Sequence, residues 1–478
     1  MTNLPSRPGA QDPFPVSGPV DILAFIPHSL GFVPQESLVL MTMDSSRLGA
    51  TLRLDLPAAA VDYSDFAVRV TELLRSDRAA NGVLMALYTD RKWKKPGVPP
   101  YRKLVNQLGR HLADAGLPLR DGWLVSDSAW REYFCTDSGC CPWPGRPLSQ
   151  IGDSTLSAEM VFRGSAYASS LEEAVGQDLP PVWEGGQQLL HRARYSRRIQ
   201  GNWCGSSQFA GTLAVWNAFM NSAAPEDEEP RSRGAGGPEN PEAQRRGCPQ
   251  LRSDPEAAGF LLASLHARPV RDTLLVAAAL GSARALGGAE ACGLLSVDEG
   301  PPLLPAPGGT QLPVPPLPGR DGPAAGSPGC RAAGSAGPAT GLGQGGDSRR
   351  KGPDDEQVFR EVLIGQYAGK PDWSRMDAAF AVFSELLAAS GLGGDSDVEA
   401  DQEAAAALLT LLAWIEWARG RGSRAQVYLG RCLETCPGYR LAELLEELLV
   451  TGMFPVWARK AGTAWRAAAE RHPGGART

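Results

Sequence analysis

The sequence predicts an α/β domain, a mixed sheet with helices packed on it, followed by an all-helical C-terminal segment of tetratricopeptide-like spacing. Three observations lead there. Up to about Gly145 the apolar periodicity switches between strand and helix in the order ββαβαβ, the pattern of a sheet with crossover helices. Beyond Thr155 only helical spacing recurs. Between the last two helical parts lies Gly300–Pro353, where 26 of 54 residues are Gly or Pro. Such a stretch buries too little apolar surface to offset its conformational entropy.

The elements follow in order. Asp21 can cap a short helix over Ile22–Ile26, with Pro27 and Gly31 expected to kink and stop it. Ser37–Met43 and Ala50–Leu56 read as strands joined by a hairpin turn at Asp44–Gly49. Val61–Arg75 carries helical spacing at Val61, Phe66, Val70 and Leu73. Val83–Tyr88 is continuously apolar, as in a strand covered on both faces. Tyr101–Ala115 repeats Leu104, Leu108 and Leu112, stops at Gly116, and leads to a strand at Trp123–Val125. Helical stripes return at Ser206–Met220, Ala257–Ser264 and Thr273–Leu286. A last set runs through Leu408–Ile415, Ala425–Leu433 and Leu441–Leu449. The organisation predicted is a disordered N-terminus (1–18), the α/β domain (19–150), a mainly helical part (151–295) with a flexible insertion at 223–255, a disordered Gly/Pro-rich linker (300–353) and the helical C-terminal segment (354–470).

Composition narrows the function classes. The 478 residues carry a formal charge of −6, so there is no electrostatic case for a nucleic-acid binder. The longest apolar run, near Leu274–Leu280, is far too short to span a membrane, and the N-terminus lacks the apolar centre of a secretory signal. Nine cysteines cannot all pair within one chain, which fits a reducing compartment. A cytoplasmic location is expected.

Several segments together resemble one family. They are Ile26-Pro-His-Ser-Leu-Gly-Phe-Val-Pro-Gln-Glu-Ser-Leu-Val-Leu40, Trp130-Arg-Glu-Tyr-Phe-Cys135 with Cys140-Cys-Pro-Trp-Pro-Gly145, Pro269-Val-Arg-Asp-Thr-Leu274, and Leu411-Leu-Ala-Trp-Ile-Glu-Trp417 through Cys436-Pro-Gly-Tyr-Arg-Leu-Ala-Glu-Leu-Leu445. Their order and spacing are similar to the actinobacterial family known as domain of unknown function 4192. The resemblance covers most of the chain outside the Gly/Pro-rich block and implies no activity, cofactor or catalytic residue. Ser169-Ser-Leu-Glu-Glu173, where an Arg commonly follows the serine, and the long linker depart from the pattern.

Cys135, Cys140 and Cys141 place three thiols within seven residues. Zinc wants four soft or borderline ligands. Adjacent cysteines fit one metal poorly, and a fourth ligand is not visible; His111, His191 and Cys204 qualify by type alone. A redox pair would be Cys135 with Cys140. The preferred reading is of small buried side chains closing a strand, so no cofactor is expected and zinc is the alternative. His28, in an apolar stretch, reads as a satisfied histidine. Arg192–Arg198 reads as a solvated helix face, and Arg271-Asp272 as a pair whose members reach other elements. Neither a phosphate loop nor a Gly-x-Ser-x-Gly elbow appears. If Pro437 ends a tetratricopeptide-type hairpin, Ala413, Ala425, Leu429 and Cys432 fall at its contact positions and Gly420 at its turn. These features point to a non-catalytic cytoplasmic interaction or regulatory protein with a protein partner, and with neither nucleic acid nor membrane. Two alternatives stay open. One is an enzyme using strand-end carboxylates such as Asp55, Asp90, Asp121 and Asp127. The other is a thiol-based metal- or redox-responsive protein.

Overall fold

The computed structural model describes residues 16, 18–45, 47–58, 62–91, 93, 98–137, 139–223, 248–298, 300–305, 353–392, 400–450, 452–460 and 462–466. Helix α1 (Pro19–Leu30) starts on a proline and closes on Gly31, whose φ of +80° lets its N–H reach the Pro27 carbonyl at 2.8 Å. The helix runs four residues past the expected end at Ile26, because proline in the last turn withholds only one donor, and it stops at Gly31 as expected. Strands β1 (Ser37–Asp44) and β2 (Arg47–Asp55) form an antiparallel hairpin. Helix α2 (Ser64–Leu74), strand β3 (Gly82–Tyr88), helix α3 (Arg102–Asp114) and strand β4 (Leu119–Val125) follow. Two short strands unforeseen in the sequence, β5 (Ala129–Glu132) and β6 (Arg146–Pro147), complete a mixed sheet of order β2-β1-β3-β4-β5-β6. Only β3 and β4 run parallel.

The period-two alternation of β3 divides its side chains between two cores. Val83, Met85 and Leu87 join Val70 and Leu74 of α2 and Leu108 and Leu112 of α3 on one face. Leu84, Ala86 and Tyr88 join Leu23 and Ile26 of α1 on the other. Every residue of β3 is buried, which is why its sequence is apolar without a break.

Helices make up the rest: α4 (Ser149–Gly152), α5 (Thr155–Phe162), α6 (Leu171–Gln177), α7 (Gln187–Ile199), α8 (Ser206–Ala223), α9 (Pro249–Arg252), α10 (Pro255–Ser264), α11 (Arg268–Leu280), α12 (Ser282–Ala291), α13 (Pro353–Leu363), α14 (Trp373–Ala389), α15 (Gln402–Ala418), α16 (Gly422–Thr435) and α17 (Arg440–Val450). One apolar core extends from Val175 to Trp457 and draws on both sides of the Gly/Pro-rich block. Helix α15 sits at its centre, with each residue from Ala404 to Ala418 buried. A helix covered all round shows no narrow stripe, and its run of Ala and Leu reflects that. Asp254, Asp372 and Asp401 cap α10, α14 and α15 through their carboxylates.

Several sequence expectations need correction. The predicted linker begins at Gly300, yet its first residues lie against α8. Leu303 N–H donates to Gln208 Oε1 at 2.7 Å, and the Leu304 side chain covers Gly211. The flexible insertion, expected to reach 255, is already helical at α9, and Cys248 is buried before it. Residues 1–15, 224–247 and 306–352, where disorder or flexibility was expected, lie outside the described residues. Arg271 and Asp272 pair directly, the guanidinium folding back to the carboxylate at 2.6 Å while Nη1 donates to Tyr439 Oη. Adjacent residues can meet in this way because the long Arg side chain curls around its own turn.

Candidate functional site

Where β2 faces the start of α16, a cavity of about 370 Å³ opens between the sheet edge and the C-terminal helices. Its apolar walls come from Phe32, Leu52, Leu54 and Phe66 on the sheet side and from Leu449 and Phe454 on the helical side. Strand β2 ends the sheet, so one of its edges has no strand neighbour, and Thr51–Asp55 line the cavity along that edge.

Four arginines rim the cavity: Arg53, Arg69, Arg421 and Arg424. Three are anchored. Arg53 donates from Nε to Ser37 Oγ, from Nη1 to Ser423 Oγ at 2.7 Å, and pairs with Asp55 at 2.7 Å, tying β2 to α16. Arg421 grips the fully buried Glu416 through Nε and Nη2, at 2.5 and 2.8 Å. Arg424 pairs with Asp178 at 2.8 Å. Burial pushes the Glu416 carboxyl up, but the Arg421 and Arg419 guanidiniums more than offset this and hold it at about 2. Asp178 goes the other way, raised by burial despite Arg424 beside it. Arg69 alone is exposed and makes no hydrogen bond or ion pair among the described residues. The turn Gly420-Arg421-Gly422 brings α16 close to the sheet. Gly420 has φ of +80°, the left-handed conformation that favours glycine.

The strand-end carboxylates do not assemble as one group. Asp90 and Asp127, at the C-terminal ends of the parallel β3–β4 pair, do meet: Asp127 N–H donates to Asp90 Oδ1 at 3.0 Å. Glu36, just ahead of the neighbouring strand β1, joins them, accepting from Thr89 Oγ1 and Asp90 N. Asp55 is committed to Arg53, and Asp121 stands near the opposite end of β4, accepting from Gly122 N.

The cysteine segment forms the loop between β5 and β6. It folds Cys140 and Cys141 back onto Cys135, and the three Sγ atoms and a carboxylate oxygen of Glu132 all lie within 4.8 Å of one another. Adjacent cysteines do therefore reach one point, because the loop reverses at Cys141, whose N–H donates to Asp137 O at 2.8 Å. Burial and the two neighbouring thiols push the Cys141 thiol up to about 11. None of His111, His191 or Cys204 belongs to the group; the fourth member is Glu132, which the sequence reading passed over. Its spacing to Cys135, Glu-x-x-Cys, is the two-residue gap of a metal-binding pair with a carboxylate in the first place, and that signal was present. Around the loop, Arg131 is sandwiched between the Trp93 and Trp143 rings, 4.4 and 4.8 Å from their centroids.

His28 is buried, with Nδ1 on Ser165 Oγ at 2.9 Å and its ring edge-on to Tyr167; Nε2 has no partner, and burial lowers its pKa. Arg194, Arg197 and Arg198 are exposed as expected, whereas Arg192 reaches Asp401 at 3.1 Å.

Fold and site define a mixed α/β sheet joined to a helical core, with a cavity between them and a thiol-rich loop at the far sheet edge. The chain belongs to the family described as a domain of unknown function (DUF4192), whose model matches residues 19–287 and 397–456. No curated protein and no solved structure matches it. Among the described residues, no helix is long and apolar enough to cross a membrane.

Proposed function

We propose that this is a non-catalytic cytoplasmic interaction protein whose cavity between β2 and α16 receives an extended, acidic peptide segment of a protein partner. The observation that carries the reading is the open edge of β2 beside Arg69, which has no hydrogen-bond or ion-pair partner among the described residues. A peptide in extended form satisfies an open strand edge through its backbone, while apolar walls take alternate side chains. An acidic residue on the peptide gives Arg69 the partner it lacks among the described residues. The helical side of the cavity supports a tetratricopeptide-like reading of α15 and α16: Ala413, Ala425, Leu429 and Cys432 are all buried, and Gly420 makes the turn.

The test is photocrosslinking in cells with a photoreactive residue at position 69, compared with one at the exposed Leu190 on α7. The expected result is a discrete protein adduct from position 69 alone, in which the crosslinked peptide is extended and acidic. Identical adducts from both positions, or none from position 69, would overturn the reading.

A further inference from the structure

We infer that Glu132, Cys135, Cys140 and Cys141 form a structural zinc site that pins the β5–β6 edge of the sheet. This inference is independent of the peptide cavity. Three lines of observation converge on it. The first is geometric. A tetrahedral ion with Zn–S distances of about 2.3 Å holds its ligand atoms about 3.8 Å apart. Here the four ligand atoms lie within 4.8 Å of one another, with Cys141 Sγ and Glu132 Oε2 at 4.0 Å. Closing the set takes only a small contraction of one loop.

The second is electrostatic. Arg131 is buried, its Nε and Nη1 have no hydrogen-bond partner, and it forms no ion pair among the described residues. Its Nη2 donates to the Cys135 carbonyl at 3.4 Å, so the guanidinium lies beside the cluster. Arg146, stacked on Trp130, donates to the Cys140 carbonyl at 3.2 Å. Three thiolates and a carboxylate around a divalent ion leave a net negative charge. That charge is what a buried cation with no anion of its own lacks. The third is chemical. Three soft sulfurs with one oxygen suit zinc, and four protein ligands leave no open position, which makes the site structural. On binding, the thiol protons pass to solvent and no electron moves.

The site also gives the loop a purpose. Strand β6 has two residues and pairs only with β5, too little to hold an edge by backbone bonds alone. An ion bridging Glu132 on β5 to Cys140 and Cys141 ahead of β6 fixes that pairing.

The experiment uses untagged, reduced, full-length protein purified without added metal. Elemental analysis is expected to find about one zinc per chain, as a closed four-ligand site requires. Cobalt(II) supplied in its place should give the absorption of a tetrahedral thiolate site. Cys140 is exposed, so Cys140→Ser removes a ligand without opening a cavity. It and Glu132→Gln should each lose zinc on dialysis and weaken or shift the cobalt bands, with far-ultraviolet circular dichroism unchanged. Cys436→Ser, outside the cluster, should keep the metal. Failure of the reduced protein to take up zinc, zinc retained after Cys140→Ser, or a Cys135–Cys140 disulfide forming in protein that binds no metal would each overturn the assignment.

Discussion

Glu416 is the residue whose removal should cost the helical core most for the smallest change of shape. It lies fully buried at the end of α15, accepting from Arg419 Nη1 at 2.6 Å and from Arg421 at 2.5 and 2.8 Å, with Arg424 Nε at 3.8 Å. Glu416→Gln keeps the volume and removes the charge that these cations share. Deleting one member of a buried ion pair costs about 3–5 kcal/mol, because its partners stay buried and uncompensated. The depressed pKa of the carboxyl gives a similar figure. The carboxyl stands at about 2 in the fold against 4.5 in a free chain, a difference worth about 3 kcal/mol. Its folded pKa is depressed, so this stability is fully present above pH 4.5 and drains away as pH falls towards 2. Urea unfolding followed by tryptophan fluorescence reports on it, since the Trp414, Trp417 and Trp457 rings lie within 6.5 Å of one another beside the network. The expected result is a wild-type advantage over Glu416→Gln of a few kcal/mol at pH 7, shrinking steadily below pH 4.5. Equal stability at pH 7, or a difference that does not shrink with acid, would refute the reasoning.

Four further perturbations test the fold. Leu412→Asp, at a fully buried position of α15, should cost several kcal/mol in a urea melt. Arg419→Asp should cost a comparable amount, since Arg419 bridges Asp377 and Glu416 under the Phe380 and Trp465 rings. Gly259→Ala should lower stability by about 1–3 kcal/mol, because the added methyl would meet Gln188 O and His191 Cβ at 2.5 Å where α10 crosses α7. His266 hydrogen-bonds Asp401 and Glu403 at 2.9 and 3.0 Å, and the Asp401 bond, opposed by burial, raises its pKa. Its contribution is therefore complete below pH 6.5 and lost as pH rises through the raised value, so melting temperatures across that range should fall in the wild type and stay flatter in His266→Asn.

Strands β1 to β4 and helices α2 and α3 were legible because each repeats its apolar residues at the period of its own element. Strands β5 and β6, of four and two residues, are too short to show a period, so the sheet looked two strands narrower. Arg419 stands at the C-terminal end of α15 beside Gly420, where a charged side chain commonly faces solvent. In the fold, α14 and the Trp465 ring cover it. Glu132 was missed for a different reason: its Glu-x-x-Cys spacing to Cys135 is a weak mark by itself, and only the folded loop brings three thiols to it. The cavity at β2 was equally hidden, as its walls come from residues about 370 positions apart, such as Arg53 and Ser423.

The placement of α14 has a consequence for how the chain is made. This helix packs against α8, with the Phe383 ring on Trp216, and its Glu385 accepts from Trp183 and Arg252. The sheet and its two flanking cores are complete once about residue 150 has been synthesised. The helical core is not, since Trp216 on α8 waits for a helix encoded more than a hundred residues later. A nascent chain halted near residue 290 would therefore carry a finished sheet beside a bare apolar surface, the kind of species that chaperones hold and proteases remove.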